Sequence, residues 1–238
     1  MTQRSISFIE GEYYHIYNRG NSKQNIFIDD EDKERFVKLL YLCNSGRSIN
    51  FRDDIIKQEI DAWDFDRGKA VVSIGAWVLM PNHFHIYLTF QRVDLGLDKG
   101  RPFGNFDNPI SLFMNKLGTA YSMYFNTKHK RVGGLFEGKF KSVHIGNDSQ
   151  AKYLFSYIHL NPIKLIYPKW KEDGIVNYKK AISFLGSYPW SSYHDYKDKN
   201  RKERKIIYPK DFPDYFSDPK VFDAEIFDWL TFDSDDDS

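Results

Sequence analysis

The 238-residue sequence has one cysteine, no run of about 18 apolar residues and no amino-terminal apolar stretch ending in a small-residue cleavage site. Cys43 therefore has no internal disulfide partner, and its place in an apolar helical pattern reads as a buried thiol in a reducing compartment. Without a span or a leader, the expectation is a soluble, cytoplasmic protein with no membrane partner. Internal repeats are missing too. Net charge is nearly absent, at +1, but this value averages two unlike parts. From Asp211 to Ser238 there are 10 acidic residues and 1 basic one, which leaves 33 Lys+Arg against 23 Asp+Glu, a net of +10, in residues 1–210. A basic body suits a polyanionic partner, and an acidic end such as DSDDDS reads as a solvated tail.

What is present is enough for one substantial core, with 41% hydrophobic residues and 17% aromatic ones. Tyr13–Arg19 is rich in strand formers, and NRGNSKQ follows as a turn-rich loop. Behind the acidic turn at Asp30, Phe36, Leu39, Leu40 and Cys43 recur at helical spacing. Residues 44–68 are polar and mixed, with a short helix suggested around Ile55–Trp63, and read as an insertion. Ala70–Met80 and His83–Phe90, joined at Pro81-Asn82, predict a central hairpin. A second insertion at 91–108 precedes a helix over Pro109–Phe125. A basic loop then leads to a strand at Phe140–Ile145 and a helix from Asp148 to Leu160, stopped by Asn161-Pro162. The order β-α-β-β-α-β-α predicts an α+β, ferredoxin-like sandwich: a central antiparallel sheet with helices packed on one face. Residues 1–196 read as one domain, and 197–238 as a basic linker, KDKNRKERK, running into the acidic tail.

Two segments carry chemistry. In the strand HFHIYLTF, side chains two apart share a face, so Phe84, Ile86, Leu88 and Phe90 form an apolar face, and His83, His85, Tyr87 and Thr89 a polar one. Two imidazoles one strand-pitch apart can both direct ring nitrogens at one divalent metal. The pattern alone reads more often as two solvent-facing histidines on an ordinary edge. In the helix DSQAKYLFSYIHLNP, Tyr153, Tyr157 and Asn161 lie on one stripe, while Leu154, Ile158 and Phe155 can face the sheet. The amide oxygen of Asn161 is a hard ligand able to complete a three-residue metal site. Taken alone, these aromatics read as packing and Asn161 as a helix end.

In series, MPNHFHIYL, GLFEGKFKSV and YLFSYIHLNPIK resemble the signature segments of the insertion-sequence-two-hundred-like transposases, single-tyrosine HUH enzymes. The similarity is nearest to the REP-associated tyrosine transposase branch, which YNRG near the start and SYPWSSY at Ser187–Tyr193 also fit, and it spans roughly His15 to Tyr196. The resemblance implies that His83 and His85 hold a divalent metal, Mg²⁺ or Mn²⁺, with Asn161 at the third-ligand position, and that Tyr157 is the nucleophile. It further implies single-stranded, hairpin-bearing DNA as substrate, a 5′-phosphotyrosine intermediate with a free 3′-hydroxyl, and rejoining without ATP. A phenol with a pKa of roughly 10 needs local activation and an electrophile made reactive by a cation.

DNA contacts are expected from Lys128, Lys130 and Arg131 in TKHKR and from Lys139 and Lys141 after it, with a solvated basic loop as the plain alternative. Tyr13, Tyr14 or Phe136 are candidates for stacking on bases. The resemblance leaves room for a homodimer, for a domesticated DNA-binding protein of the same fold, and for a related nickase acting in replication or transfer. A closed structural zinc site is disfavoured, since one cysteine and scattered histidines do not supply it.

Overall fold

The computed structural model describes residues 7–91, 108–198, 200–214 and 221–231. Four strands, β1 (Tyr13–Arg19), β2 (Ser73–Met80), β3 (His83–Thr89) and β4 (Lys141–Ile145), form one sheet in the order β2-β3-β1-β4. Every pairing is antiparallel. Helices α1 (Asp30–Leu42) and α2 (Pro109–Lys128) complete the β-α-β-β-α-β order of a ferredoxin-like α+β sandwich, as the sequence pattern predicts. α3 (Asp148–Leu160), α4 (Trp170–Asp173), α5 (Tyr178–Ser187), α6 (Tyr193–Lys197) and α7 (Phe222–Thr231) follow.

Side-chain caps set the helix starts. Asp29 accepts from the Asp32 amide, and Asp30, Glu31 and Asp32 put negative charge at the positive end of α1. Asn108 caps α2 ahead of Pro109, and Asn147 caps α3. At the far end of α3, Pro162 has no amide to donate, so the chain tightens into a 3₁₀ turn over Asn161–Leu165.

The expectation of helices on one face is corrected here. α1 and α2 cover the face carrying Ile16, Phe84, Ile86 and Leu88, with Phe36, Leu40, Phe113 and Tyr121 packed into it. The opposite face is covered as well. Leu154 and Ile158 of α3 share a core with Ala76, Val78 and Met80 of β2 and Tyr87 of β3, and Phe222, Ile226 and Phe227 of α7 join that core. The polar-looking face of HFHIYLTF is thus largely buried, because a helix rich in Leu and Ile lies over it. A register shift between Ile74 and Ala76 lets Ile74 and Trp77 both serve the first core while Ala76 and Val78 serve the second. Gly75 sits at that shift, where a Cβ would lie 2.8 Å from the ring of Phe212.

Residues 44–68 carry a π-type turn at Phe51–Ile56, earlier than the helix expected there, and Ile55 and Ala62 form a small cluster with Leu42 of α1. Of 91–108, only Gln91 and Asn108 are among the described residues, and the tail beyond Thr231 lies outside them. The stretch read as a basic linker is packed. Tyr208 donates its amide to Ile74 on the outer edge of β2, next to the bonds that Trp190 and Ser192 make there just before the stretch, and Ile206 and Ile207 are buried behind it. Arg201 donates to Asp195 at 3.0 Å and pairs with Glu203 at 3.1 Å, while Lys202 pairs with Asp61 at 2.7 Å.

Asp195 is fully buried with one carboxylate oxygen unpartnered, and burial raises its pKa to about 6 against the pull of Arg201. The folded state therefore holds the proton more tightly than the unfolded chain. Its contribution to stability is complete below about pH 4 and is lost as pH rises towards 6. We expect the unfolding free energy of the wild type to fall by roughly 2 kcal/mol relative to Asp195→Asn between pH 4 and pH 7. Denaturant titrations of both proteins check this, and a difference that does not change with pH would contradict it.

Candidate active site

Side chains from β1, β3 and α3 meet on the face that α3 covers. His83 and His85 leave β3 on that face, with ring centroids 5.0 Å apart. β1 runs beside β3 with Tyr17 opposite His85 and His15 opposite Tyr87, so the odd-numbered residues of β1 share the face. His15 Nε2 and His85 Nδ1 are hydrogen-bonded at 2.8 Å, and His83 Nδ1 is bonded to Asn82 Oδ1 at 2.6 Å. In both metal-ligand candidates Nδ1 is thus engaged. For His83, donation from Nδ1 to the Asn82 oxygen leaves the Nε2 lone pair for another partner, and donation from His85 Nδ1 to His15 does the same for His85.

That partner is missing from the protein itself. His85 is 7% exposed, and its Nε2 has no hydrogen bond. Asn161 is fully buried, and neither atom of its amide finds a partner of ordinary geometry, although the group lies close enough to His83 to raise that ring's basicity. Leaving such groups buried and unmet costs about 1–3 kcal/mol each. Burial drives His83 down to about 4, with Lys164 lowering it further; burial alone takes His15 to about 4 and, aided by His15, takes His85 well below its usual value. All three rings are neutral at physiological pH, the form that ligates metal. The unpartnered His85 nitrogen and Asn161 amide oxygen, with the partly buried His83 ring beside them, form a donor set that fits a divalent cation.

Tyr157 closes the site. Its ring meets His85 edge-on, with centroids 5.5 Å apart, and stacks parallel to Tyr153. Lys171 Nζ lies 4.1 Å from the ring centroid, and Lys164 Nζ donates to the phenol oxygen at 3.0 Å. The structure thus brings together Tyr157, His83, His85 and Asn161.

It treats the expected DNA contacts less evenly. Lys141 is exposed on β4 opposite Tyr17, on the face of the site. Lys139 is exposed just before it, and Lys130 is exposed in a left-handed turn with φ 50°. Arg131 donates to Gln24 at 3.0 Å. Lys128 is engaged elsewhere, paired with Asp29, Glu31 and Asp32 at 2.7–3.0 Å. Asp29, Asp32 and His129 are the one group of three acidic or imidazole side chains among the described residues with ligand atoms mutually within 4.8 Å. The Lys128 ammonium already bonds both aspartates, and Asp32 also accepts from the Ile28 amide and from Tyr124, so this network is satisfied internally. The expected stacking residues are packing residues. Tyr14 is fully buried, Tyr13 lies against Tyr87 and Phe212, and Phe136 packs on Phe84 and Tyr121.

Four residues of the site escaped the sequence reading: His15, Tyr17, Lys164 and Lys171. Lys164 follows Tyr157 by only seven residues, but it lies past the Asn161-Pro162 stop, so helical spacing does not carry to it. The others depend on strand register and on the turn after α3, which no local pattern encodes.

No family model and no curated protein matches the chain. A solved structure described as the REP-associated tyrosine transposase bound to a REP hairpin is similar over 89% of this chain and 91% of that chain, with 16% identity and a TM-score of 0.44. At that similarity neither family nor activity follows, and the functional reading rests on the side chains described above.

The Asp29–Asp32–His129 group is an ion-pair network, so Asp32→Ala should cost about 3 kcal/mol of stability by leaving Lys128 and His129 without their buried partner. Mn²⁺ affinity, measured by calorimetric titration, should stay at the wild-type value. Loss of Mn²⁺ binding with stability intact would identify the group as the metal site instead.

Proposed function

We propose that the chain is a single-tyrosine HUH transposase that cuts and rejoins single-stranded DNA, with Tyr157 as nucleophile and His83, His85 and Asn161 as metal ligands. The observation that carries this reading is the buried, unpartnered set of His85 Nε2 and the Asn161 amide beside a tyrosine whose oxygen is met by a lysine. Folded proteins rarely leave such groups unmet except where a ligand completes them. A bound Mg²⁺ or Mn²⁺ would polarise the scissile phosphate.

The chain's own residues do the rest. Asn82 and His15 fix the orientation of the two ligand rings. Stacking on Tyr153 and the edge of His85 hold the Tyr157 ring, which limits the arc its oxygen can sweep. Attack by that oxygen on the phosphorus gives a 5′-phosphotyrosine link and frees a 3′-hydroxyl, and attack by a 3′-hydroxyl on the same link restores a phosphodiester. The β1–β4 part of the face, with Tyr17, Val143 at 45% exposure and Lys141, is the side from which a strand would enter. Arg19, opposite His83 and paired with Glu137 in the loop before β4, lies at the same edge.

Incubation with hairpin-bearing single-stranded DNA and Mn²⁺ should yield a denaturation-resistant protein–DNA adduct. Tyr157→Phe should reduce that adduct to background while DNA binding, read by fluorescence anisotropy, is retained. An adduct from Tyr157→Phe at the wild-type level would refute the assignment of the nucleophile.

A further inference from the structure

Tyr157 has a neighbour that the histidine–asparagine set does not explain. Lys164 sits on the 3₁₀ turn that Pro162 forces after α3, and this turn folds its side chain back along the helix. Its Nζ lies 3.0 Å from the Tyr157 oxygen and 4.9 Å from the ring centroid, so the lysine is aimed at the hydroxyl end of the ring. Lys171 differs in its placement. It lies over the face of the Tyr157 ring and gives its hydrogen bond to Tyr153 at 2.8 Å. Of these two lysines, Lys164 is bonded to the oxygen that would react.

Resting on the reading of Tyr157 as nucleophile, we infer that Lys164 is a further catalytic residue, one that carries the charge of the tyrosine oxygen in both directions of the reaction. In cleavage, the phenol proton passes to water, the oxygen–phosphorus bond forms, the bond from phosphorus to the 3′ oxygen breaks with its electron pair, and that oxygen takes a proton from water. In rejoining, a 3′-hydroxyl gives its proton to water and bonds to phosphorus while the tyrosine oxygen leaves with the electron pair of its bond to phosphorus and takes a proton from water. An ammonium bonded to this oxygen stabilises the anion as it attacks and again as it departs. The site has little else for that task. His83, His85 and Asn161 belong to the metal side, and Lys171 gives its hydrogen bond to Tyr153. A reversible transfer needs the tyrosine oxygen to be both an adequate nucleophile and an adequate leaving group, and one fixed cation serves both.

The test compares wild type, Lys164→Gln and Lys164→Arg at saturating hairpin DNA with Mn²⁺. Adduct formation and its reversal by an added 3′-hydroxyl strand are timed separately, and thermal melting confirms that each variant is folded. Lys164→Gln should slow both steps about 100-fold at little changed DNA affinity, and Lys164→Arg should recover most of each rate. A substrate with sulfur in place of the scissile 3′ oxygen supplies a second readout, because its leaving group needs no assistance. The Lys164→Gln defect should persist on it. Rescue by sulfur would place the lysine on the leaving oxygen and overturn the inference, as would a weaker DNA affinity with unchanged rates at saturation. If wild type forms adduct and Lys164→Gln matches it, the inference alone fails; if wild type forms none, the reading of Tyr157 fails first.

Discussion

The site depends on the packing of α3 across the second face of the sheet. Leu154 and Ile158 anchor the helix on Ala76, Val78, Met80 and Tyr87, and α7 holds it from behind through Phe222 and Ile226. That packing seals His85 inside, so an imidazole that would be hydrated on an open strand keeps a bare nitrogen in the interior. It also fixes where the other face of the helix points. With Leu154 and Ile158 inward, Tyr157 and Asn161 fall on the stripe that meets the histidines, and Pro162 turns the chain so that Lys164 comes back to the phenol oxygen. Hydrophobic burial of one stripe thereby sets the chemistry of the next.

Charge follows from the same arrangement. After burial, Lys164 and Arg19 act on His83, while His15 and His83, followed by Lys164 and Lys171, act on His85. Burial and these cations both disfavour imidazolium, which keeps the nitrogens available as ligands. A cationic rim around neutral donors suits a phosphate-bearing substrate. Asp29 and Asp32, gathered at the start of α1, pair with Lys128 and His129 and neutralise the end of α2.

Local pattern made much of this legible. The acidic turn at Asp30, the stop at Asn161-Pro162, the turn at Pro81-Asn82, the alternation in HFHIYLTF and the Tyr157–Asn161 spacing are all short-range signals, and the elements they predict are present. What could not be read is long-range. The alternation in β3 suggested a solvated face because nothing nearby in sequence shows that α3 covers it. The contact of His15 with His85 follows from β1 lying next to β3, a register set by the whole sheet. The basic residues of KDKNRKERK obscured Ile206 and Ile207, which pack behind the β2 edge, and Lys128 looked free because its partners lie about a hundred residues earlier.

The central claim is that His83, His85 and Asn161 hold one divalent ion beside Tyr157. Pulsed electron paramagnetic resonance of the Mn²⁺-loaded protein tests it directly, since ligated imidazoles couple their nitrogens to the metal. Couplings from two histidines, reduced to one in His85→Ala, are the predicted result. A bound Mn²⁺ with no histidine coupling, or with couplings unchanged in His85→Ala, would contradict the account.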